Sequence, residues 1–301
     1  MEATVLKKLD QASQSFGRNN QEQTLSFPAQ RFNIPRDFRE FNKMIGCPIH
    51  PGTDKETEVY DYQIEYFNAW QNHHKLMLNK SRKIGATETA LRIIAYNCLA
   101  GNYSGHRVMI VAGNLQDIAN RFIQRFKSLF YKGFTDLSGK RYDYHDIIIE
   151  ETNKTCVINN TYIQAYPASE AVRGEENVKC VFMSECAFIN LIDDSKVYNA
   201  LHPNVANIPD ADFIMESTPN GKRGFFWTNY DANSEYHKLE QDYTVSMGKL
   251  LDEDFIEKEK MNPRIDFDQE YGTKFTTSLS AAFKEDEIIY EDTPINMYED
   301  L

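Results

Sequence analysis

The chain has no stretch approaching the roughly 18 consecutive apolar residues that a membrane-crossing helix needs. Its start, Met1 to Asp10, is polar and mixed in charge, unlike a secretory leader. It also lacks any Cys-x-x-Cys pair. The cysteines, Cys47, Cys98, Cys156, Cys180 and Cys186, are odd in number and scattered. That pattern argues against a disulfide framework and reads as reduced thiols in a cytoplasm-like compartment. His73-His74 and Cys180/Cys186 match no zinc finger or ribbon spacing. There is no internal repeat, and no spread of aspartates on strand-like segments suggests a stand-alone nuclease. Positive charge is scarce: 33 Lys and Arg against 45 Asp and Glu leave a net charge of −12. Residues 285–301 hold seven acids and no base. Such a balance argues against coating nucleic acid with the whole surface, but not against brief contact on one face.

What is present is enough for one large domain, or one with a smaller attachment: 301 residues, 41% hydrophobic. Residues 1–58 are rich in Gln, Asn, Arg and Pro without sustained periodicity. Arg36 to Met44 reads as a short helix there, and Cys47-Pro-Ile-His-Pro51 must be extended or turning. This part is expected to be an N-terminal arm or lid. From 59 to 245 the pattern changes. A short apolar run, Lys75 to Asn79, leads through a polar turn into a helical pattern with Ala90, Ile93, Ile94 and Cys98 on one face. A second run, Val108 to Ala112, is followed by a helix over Leu115 to Phe130, with Ile118, Phe122 and Phe126 at spacings of four. Further strands are expected at Thr155 to Ile158, Tyr162 to Ala165, Val178 to Met183 and Phe213 to Met215. Alternation of strand and helix predicts an α/β fold with a mostly parallel central sheet and helices on both faces. Residues 246–301 read as a C-terminal lid or linker, with a charged helix over Leu250 to Met261, and the acidic tail.

The turn between the first strand and the first helix reads Lys80-Ser81-Arg82-Lys83-Ile84-Gly85-Ala86-Thr87. A common phosphate loop is Gly, four residues, then Gly-Lys-Ser/Thr. Here the second Gly and the Thr are in place, but Lys80 stands for the first Gly and Ala86 for the lysine. Backbone amides and a helix N-terminus hold phosphate without a particular side chain. A lysine at the front of the loop can return its ammonium over the phosphates, and Thr87 keeps a hydroxyl for Mg²⁺. The plain alternative is a basic loop with Thr87 capping a helix.

Other segments follow in a telling order. Tyr60-Asp-Tyr-Gln63 precedes the loop by about twenty residues. Val108-Met-Ile-Val-Ala-Gly-Asn114, Ile163-Gln-Ala-Tyr-Pro-Ala168 and Ala171-Val-Arg173-Gly174 come after it. Val181-Phe-Met-Ser184-Glu185 is an apolar strand ending in an acid. Met215-Glu-Ser217-Thr218-Pro219-Asn220-Gly221 and Gln269-Glu270-Tyr271 with Phe275 complete the series. Over about residues 58–280 this resembles the ATPase domain of terminase large subunits of tailed-phage type. The matching parts are a deviant Walker A, an adenine-side glutamine, a Walker B strand and a Thr-Pro-Asn-Gly coupling motif.

The resemblance implies a RecA/ASCE-type P-loop fold and an ATP-hydrolysing motor that moves viral double-stranded DNA into a procapsid, with ATP and Mg²⁺. It implies that Lys80 and the amides of Ile84 to Thr87 hold the β- and γ-phosphates, within an ATP-binding loop of Lys80, Ser81, Arg82, Lys83, Ile84, Gly85, Ala86 and Thr87. Thr87, with Ser184 and Glu185 through water, faces Mg²⁺, and Glu185 activates the attacking water. Gln63 contacts the base. Arg82 and Arg173 are candidates for charge near the γ-phosphate, Ser217 and Thr218 for coupling, and Lys222 and Arg223 for DNA contact. Simpler roles stand beside these, such as solvated loop charge for Arg82 and Lys83, or pairing of Arg173 with Glu175 or Glu176. The implied partners are the portal protein of the procapsid, the small terminase subunit, a nuclease domain or separate nuclease chain, and further copies in a ring, commonly a pentamer. The implied place of work is the host cytoplasm at the portal vertex, with no membrane. Two departures stand out: Ser184 occupies the usual Walker B aspartate position, and Ala86 the usual lysine position. They leave a degenerate P-loop protein with a scaffold or regulatory role as an alternative, beside a helicase-like ATPase. Too few residues follow Phe275 for a nuclease domain, so no nuclease activity is expected of this chain.

Overall fold

The computed structural model describes residues 32–113, 116–189 and 194–276. Four strands are buried along nearly their whole length: Lys75–Lys80 (β1), Arg107–Ala112 (β2), Val178–Ser184 (β8) and Asp212–Ser217 (β9). Strands covered on both faces must read this way. With Thr161–Tyr166 (β7) and His237–Gln241 (β10) they form a parallel block. Ile148–Glu151 (β5) and Thr155–Ile158 (β6) extend it antiparallel, in the order β10-β1-β9-β8-β2-β7-β6-β5. A separate two-stranded ribbon pairs Phe134–Thr135 (β3) with Arg141–Tyr142 (β4). β9 therefore lies between β1, which feeds the loop, and β8, which carries the acid.

Side chains alternate across a strand, and the two hydrophobic clusters divide accordingly. Leu76, Leu78, Val108, Ile110, Phe182 and Ile214 belong to one core, and Met77, Met109, Val111, Val181, Met183, Phe213 and Met215 to the other. The first core packs against Phe38–Ile45 (α1), Asp61–Asn72 (α2), Ala86–Ala100 (α3) and Gln116–Ser128 (α4). The second packs against Ser195–Ala206 (α6) and Gly224–Asp231 (α7). A short helix, Tyr144–Ile147 (α5), precedes β5.

Several expectations change shape here. α1 is seated in the first core, with Phe38 stacked on Phe67 at 4.3 Å and Phe41 fully buried. The boundary expected at 58 thus does not coincide with a break in packing, and residues 1–31 of the expected arm lie outside the described residues. In α4, Ala119, Ile123 and Phe126 face inward, while Ile118 is 37% exposed. The apolar face is one position round from the expected Ile118–Phe122–Phe126 line, of which only Phe126 is fully buried. The charged helix of the C-terminal segment is Glu253–Lys260 (α8), capped by Asp252, and a short helix Phe267–Glu270 (α9) follows. Leu251, Ile256 and Tyr271 join the first core, so packing is continuous across 245/246 as well. The acidic tail lies outside the described residues. Among the described residues no helix is long and apolar enough to cross a membrane.

Candidate functional site

β1 ends at Lys80 and the chain turns through 81–85 into α3. The amides of Ser81 and Arg82 are occupied, donating to the carbonyls of Gln241 (2.8 Å) and Glu270 (3.0 Å). What remains for an anion is the later part of the turn and the first turn of α3, whose N–H groups have no intrahelical acceptors. Gly85 is the N-cap of α3, with φ +76°. Its positive φ favours glycine, and a Cβ there would meet Gln63 Nε2 at 3.1 Å and Leu250 Cδ1 at 3.2 Å, so both side chains would have to give by a few tenths of an ångström. Thr87 is the second residue of the helix and not its cap.

Lys80, Ser184 and Glu216 share one parity with the strand residues that face α3, and all stand at C-terminal strand ends, where open parallel sheets collect ligands. The buried Lys80 ammonium donates to the Glu185 carboxylate at 2.7 Å. One oxygen of Glu216, Oε1, accepts from Thr87 Oγ1 at 2.6 Å and from Ser184 Oγ at 2.9 Å. Its other oxygen, Oε2, is buried and has no hydrogen-bond partner among the described residues. Burial raises the Glu216 pKa from its ordinary value, opposed by the nearby Lys80 charge and the Thr87 and Ser184 hydroxyls. Two hydroxyls and an incompletely satisfied carboxylate form an all-oxygen donor set, which suits Mg²⁺. Among the described residues no group of three or more His, Cys, Asp and Glu could hold a metal on its own.

Glu185 turns out of β8 in a left-handed conformation, φ +54°, and a 3-10 turn, Cys186–Phe188, follows. The segment from Ser217 to Gly221 grips that turn. Ala187 N–H donates to Ser217 Oγ at 3.1 Å, and Asn220 Nδ2 donates to the Ala187 carbonyl at 3.0 Å. The Cys186 thiol lies 3.4 Å from the Glu216 carbonyl, and Gly221 N–H donates to Gln269 Oε1 at 2.9 Å. Thr218 is buried beside them. These bonds tie the turn after Glu185 to residues 217–221.

The remaining expected residues divide. Gln63 is buried beside the loop, but its Oε1 accepts the Tyr60 amide at 3.0 Å in a capping box on α2, leaving Nε2 toward Gly85. Ser81 and Ile84 are buried as loop framework, with the Ile84 carbonyl accepting from Tyr62 at 2.8 Å. Arg82 is tied to Glu270 at 3.1 Å, and the Lys83 ammonium lies 4.1 Å from the Phe255 ring centroid. Arg173 is exposed, with no polar side-chain partner among the described residues; Glu175 pairs instead with Arg107 at 3.5 Å. Arg223 bonds to Asn220 on the exposed loop after the coupling segment, and Lys222 lies next to it. Sequence reasoning missed Glu216, whose signal was an acid inside the apolar run Phe213-Ile-Met-Glu216. Beside the loop opens a cavity of about 890 Å³, lined by Tyr60, Gln63, Lys83, Gly85, Leu250 and Phe255 among others.

A strand inserted between the loop strand and the acid strand, with a lysine, a hydroxyl and acids at their ends, defines a RecA-like P-loop nucleotide-binding domain. The particular family follows from comparison. The model of the terminase large subunit, T4-like-virus type, N-terminal part, matches residues 77–289. The chain belongs to this family.

Solved structures agree on the fold. The large terminase of bacteriophage HK97 is 12% identical with a TM-score of 0.58, covering 84% of this chain and 55% of that one. The large terminase of a thermophilic bacteriophage, in complex with ATP-γ-S, is 12% identical with a TM-score of 0.51, covering 72% of this chain and 52% of that one. The same thermophilic-phage terminase in complex with ADP gives 14%, 0.51, 72% and 53%. The chain spans about half the length of these large terminases. No curated protein matches it.

Proposed function

We propose that the chain is the ATP-hydrolysing motor domain of a terminase large subunit, driving double-stranded viral DNA into a procapsid. The observation that carries this reading is the convergence of Lys80, Thr87, Ser184, Glu185 and Glu216 at the ends of β1, β9 and β8 beside a helix N-terminus. A thermophilic-phage large terminase of the same fold was captured with ATP-γ-S and with ADP, which supports a nucleotide as the ligand of this domain. The free amides toward Thr87 cradle the triphosphate. Lys80 exchanges its Glu185 partner for the β- and γ-phosphates, which frees Glu185 to orient and deprotonate the attacking water. Bound Mg²⁺ supplies neutralisation of phosphate charge, held from the Thr87 and Ser184 side. The departures at Ala86 and Ser184 favour a degenerate site only if no other residue replaces what they lack. Lys80 supplies a buried cation to the loop, which favours the active reading.

The cavity beside Gly85 fits the nucleoside, with Gln63 Nε2 as a donor toward the base and Tyr60 and Phe255 as apolar walls. We assign 246–276 as a lid over that cavity, since Leu250 and Phe255 line it. Ser217 and Thr218 pass the state of the Glu185 turn onward to the 220–223 loop, where Lys222 and Arg223 are DNA-contact candidates. Arg82 must leave Glu270 to act as a cis arginine finger; Arg173 is the freer candidate. Portal protein, small terminase subunit, a nuclease domain or chain, and a ring of copies, pentameric by family resemblance, belong to the same proposal, as does work at the portal vertex in the host cytoplasm.

Glu185→Gln tests it. Hydrolysis should fall about 10²–10⁴-fold, the usual contribution of a positioned base, while ATP binding persists. Unchanged turnover in that variant refutes the water-activating role.

A further inference from the structure

We propose that the metal-side carboxylate of this motor has moved to the neighbouring strand: Glu216 on β9 takes the place of the Walker B aspartate, and Ser184 holds it there. The inference rests on the nucleotide reading above and names the residue that completes it.

The register makes the exchange possible. Ser184 and Glu216 are direct partners across the parallel β8–β9 ladder, and Glu216 is also the partner of Leu78 in β1. Partners in a ladder point to the same face, and adjacent strands lie about 4.8 Å apart. A glutamate has one more methylene than an aspartate, and here its carboxylate spans that gap to reach the Ser184 hydroxyl at 2.9 Å.

The contacts are those the position demands. In P-loop enzymes the metal is held by the loop Ser or Thr hydroxyl together with a Walker B carboxylate. Here the loop hydroxyl, Thr87 Oγ1, is 2.6 Å from Glu216 Oε1, so the carboxylate already sits against its metal-binding companion. Glu216 Oε2 is fully buried and has no partner among the described residues, a costly state for a carboxylate oxygen. A cation that met this carboxylate would offset that cost. A purely structural role needs only an acceptor for two hydroxyls, and a glutamine oxygen would serve as well. Charge is what separates the two roles.

The experiment measures metal directly. Mn²⁺ binding to the chain with the non-hydrolysable analogue AMP-PNP is followed by electron paramagnetic resonance, and AMP-PNP affinity is measured separately in EDTA. Glu216→Gln should weaken Mn²⁺ binding by about tenfold or more, as loss of a metal-site partner does, without weakening metal-free AMP-PNP binding, because the charge removed repels phosphate. Adding Ser184→Asp to that variant should return most of the Mn²⁺ affinity by putting the carboxylate back on β8. Glu216→Asp, which keeps the charge but draws it away from Thr87, should weaken Mn²⁺ binding too, and it carries the test if Glu216→Gln does not fold. Mn²⁺ binding as tight as wild type in Glu216→Gln, or in Glu216→Asp where that variant carries the test, overturns the inference alone. A wild-type chain that binds neither AMP-PNP nor Mn²⁺ overturns the nucleotide reading and this inference with it.

Discussion

Lys80 is almost fully buried at the end of a strand, where an ammonium persists only with a partner, and Glu185 is that partner. The pair keeps both charges ready at the place where a triphosphate would compete for one of them. Lys80→Ala should therefore weaken ATP binding or turnover by roughly tenfold, the scale of one charge-assisted hydrogen bond, as isothermal titration and a phosphate-release assay would show. Loss of neither contradicts the relocated-lysine idea. Ser217 meets the backbone instead: its hydroxyl oxygen accepts the Ala187 N–H in the turn after Glu185. Ser217→Ala leaves that amide without its acceptor, so kcat should fall while KM changes little; a change in KM alone would contradict the tie. A different residue answers to pH. His74 is hydrogen-bonded to the buried Asp212, which also accepts from Trp70 and Tyr103, and that bond raises the His74 pKa. A raised pKa means that stabilisation is fully present below the ordinary histidine value near 6.5 and is lost as pH rises through the raised one. The melting temperature of His74→Asn should fall below wild type at pH 6 and approach it at pH 8.5, modestly, since His74 is half-exposed.

At the scale of elements, what was legible followed from burial. β1, β2, β8 and β9 differed from their expected ranges by a residue or two at the ends, because continuous apolar runs in a parallel sheet have few other readings, while β6 matched its expected range and β7, buried at alternate positions, extended one residue beyond it at each end. α3 was legible for the same reason: Ala90, Ile93, Ile94 and Cys98 are all fully buried. β10 was not. Its sequence, His-Lys-Leu-Glu-Gln, is that of an edge strand with only Leu239 and Gln241 buried. α2 hid behind polar residues between its buried Tyr62, Tyr66, Phe67 and Trp70, and α6 carries Pro203 inside it. The N-terminal helix was legible as a helix but not as core, since its burial depends on Phe67 and Tyr96, distant in sequence. Phe41→Ala tests that placement: it should cost about 3–5 kcal/mol in urea unfolding, whereas a residue on a detachable arm would cost almost nothing. The loop itself rests on Gly85, and Gly85→Ala should reduce nucleotide affinity by forcing φ, Gln63 and Leu250 to shift together.

At the scale of the whole molecule, the site exists only because strand order and parity agree. Lys80, Ser184 and Glu216 are more than a hundred residues apart at the extremes, yet all three fall on the α3 face at one end of the sheet. Single motifs read along the chain could supply Lys80, Thr87 and Glu185. They could not supply Glu216, because its neighbours are set by the β9–β8 register and not by its own sequence context. The arginines were the least legible part, since a guanidinium on a loop takes whichever acid the fold brings near, as Arg82 takes Glu270. The account stands or falls on whether these groups meet one ligand. A crystal structure of the chain with Mg²⁺ and AMP-PNP decides it: the account predicts the triphosphate against the amides before Thr87, with Lys80 released from Glu185 onto the phosphates. A triphosphate bound elsewhere, or Lys80 still paired with Glu185 beside a bound nucleotide, would contradict it.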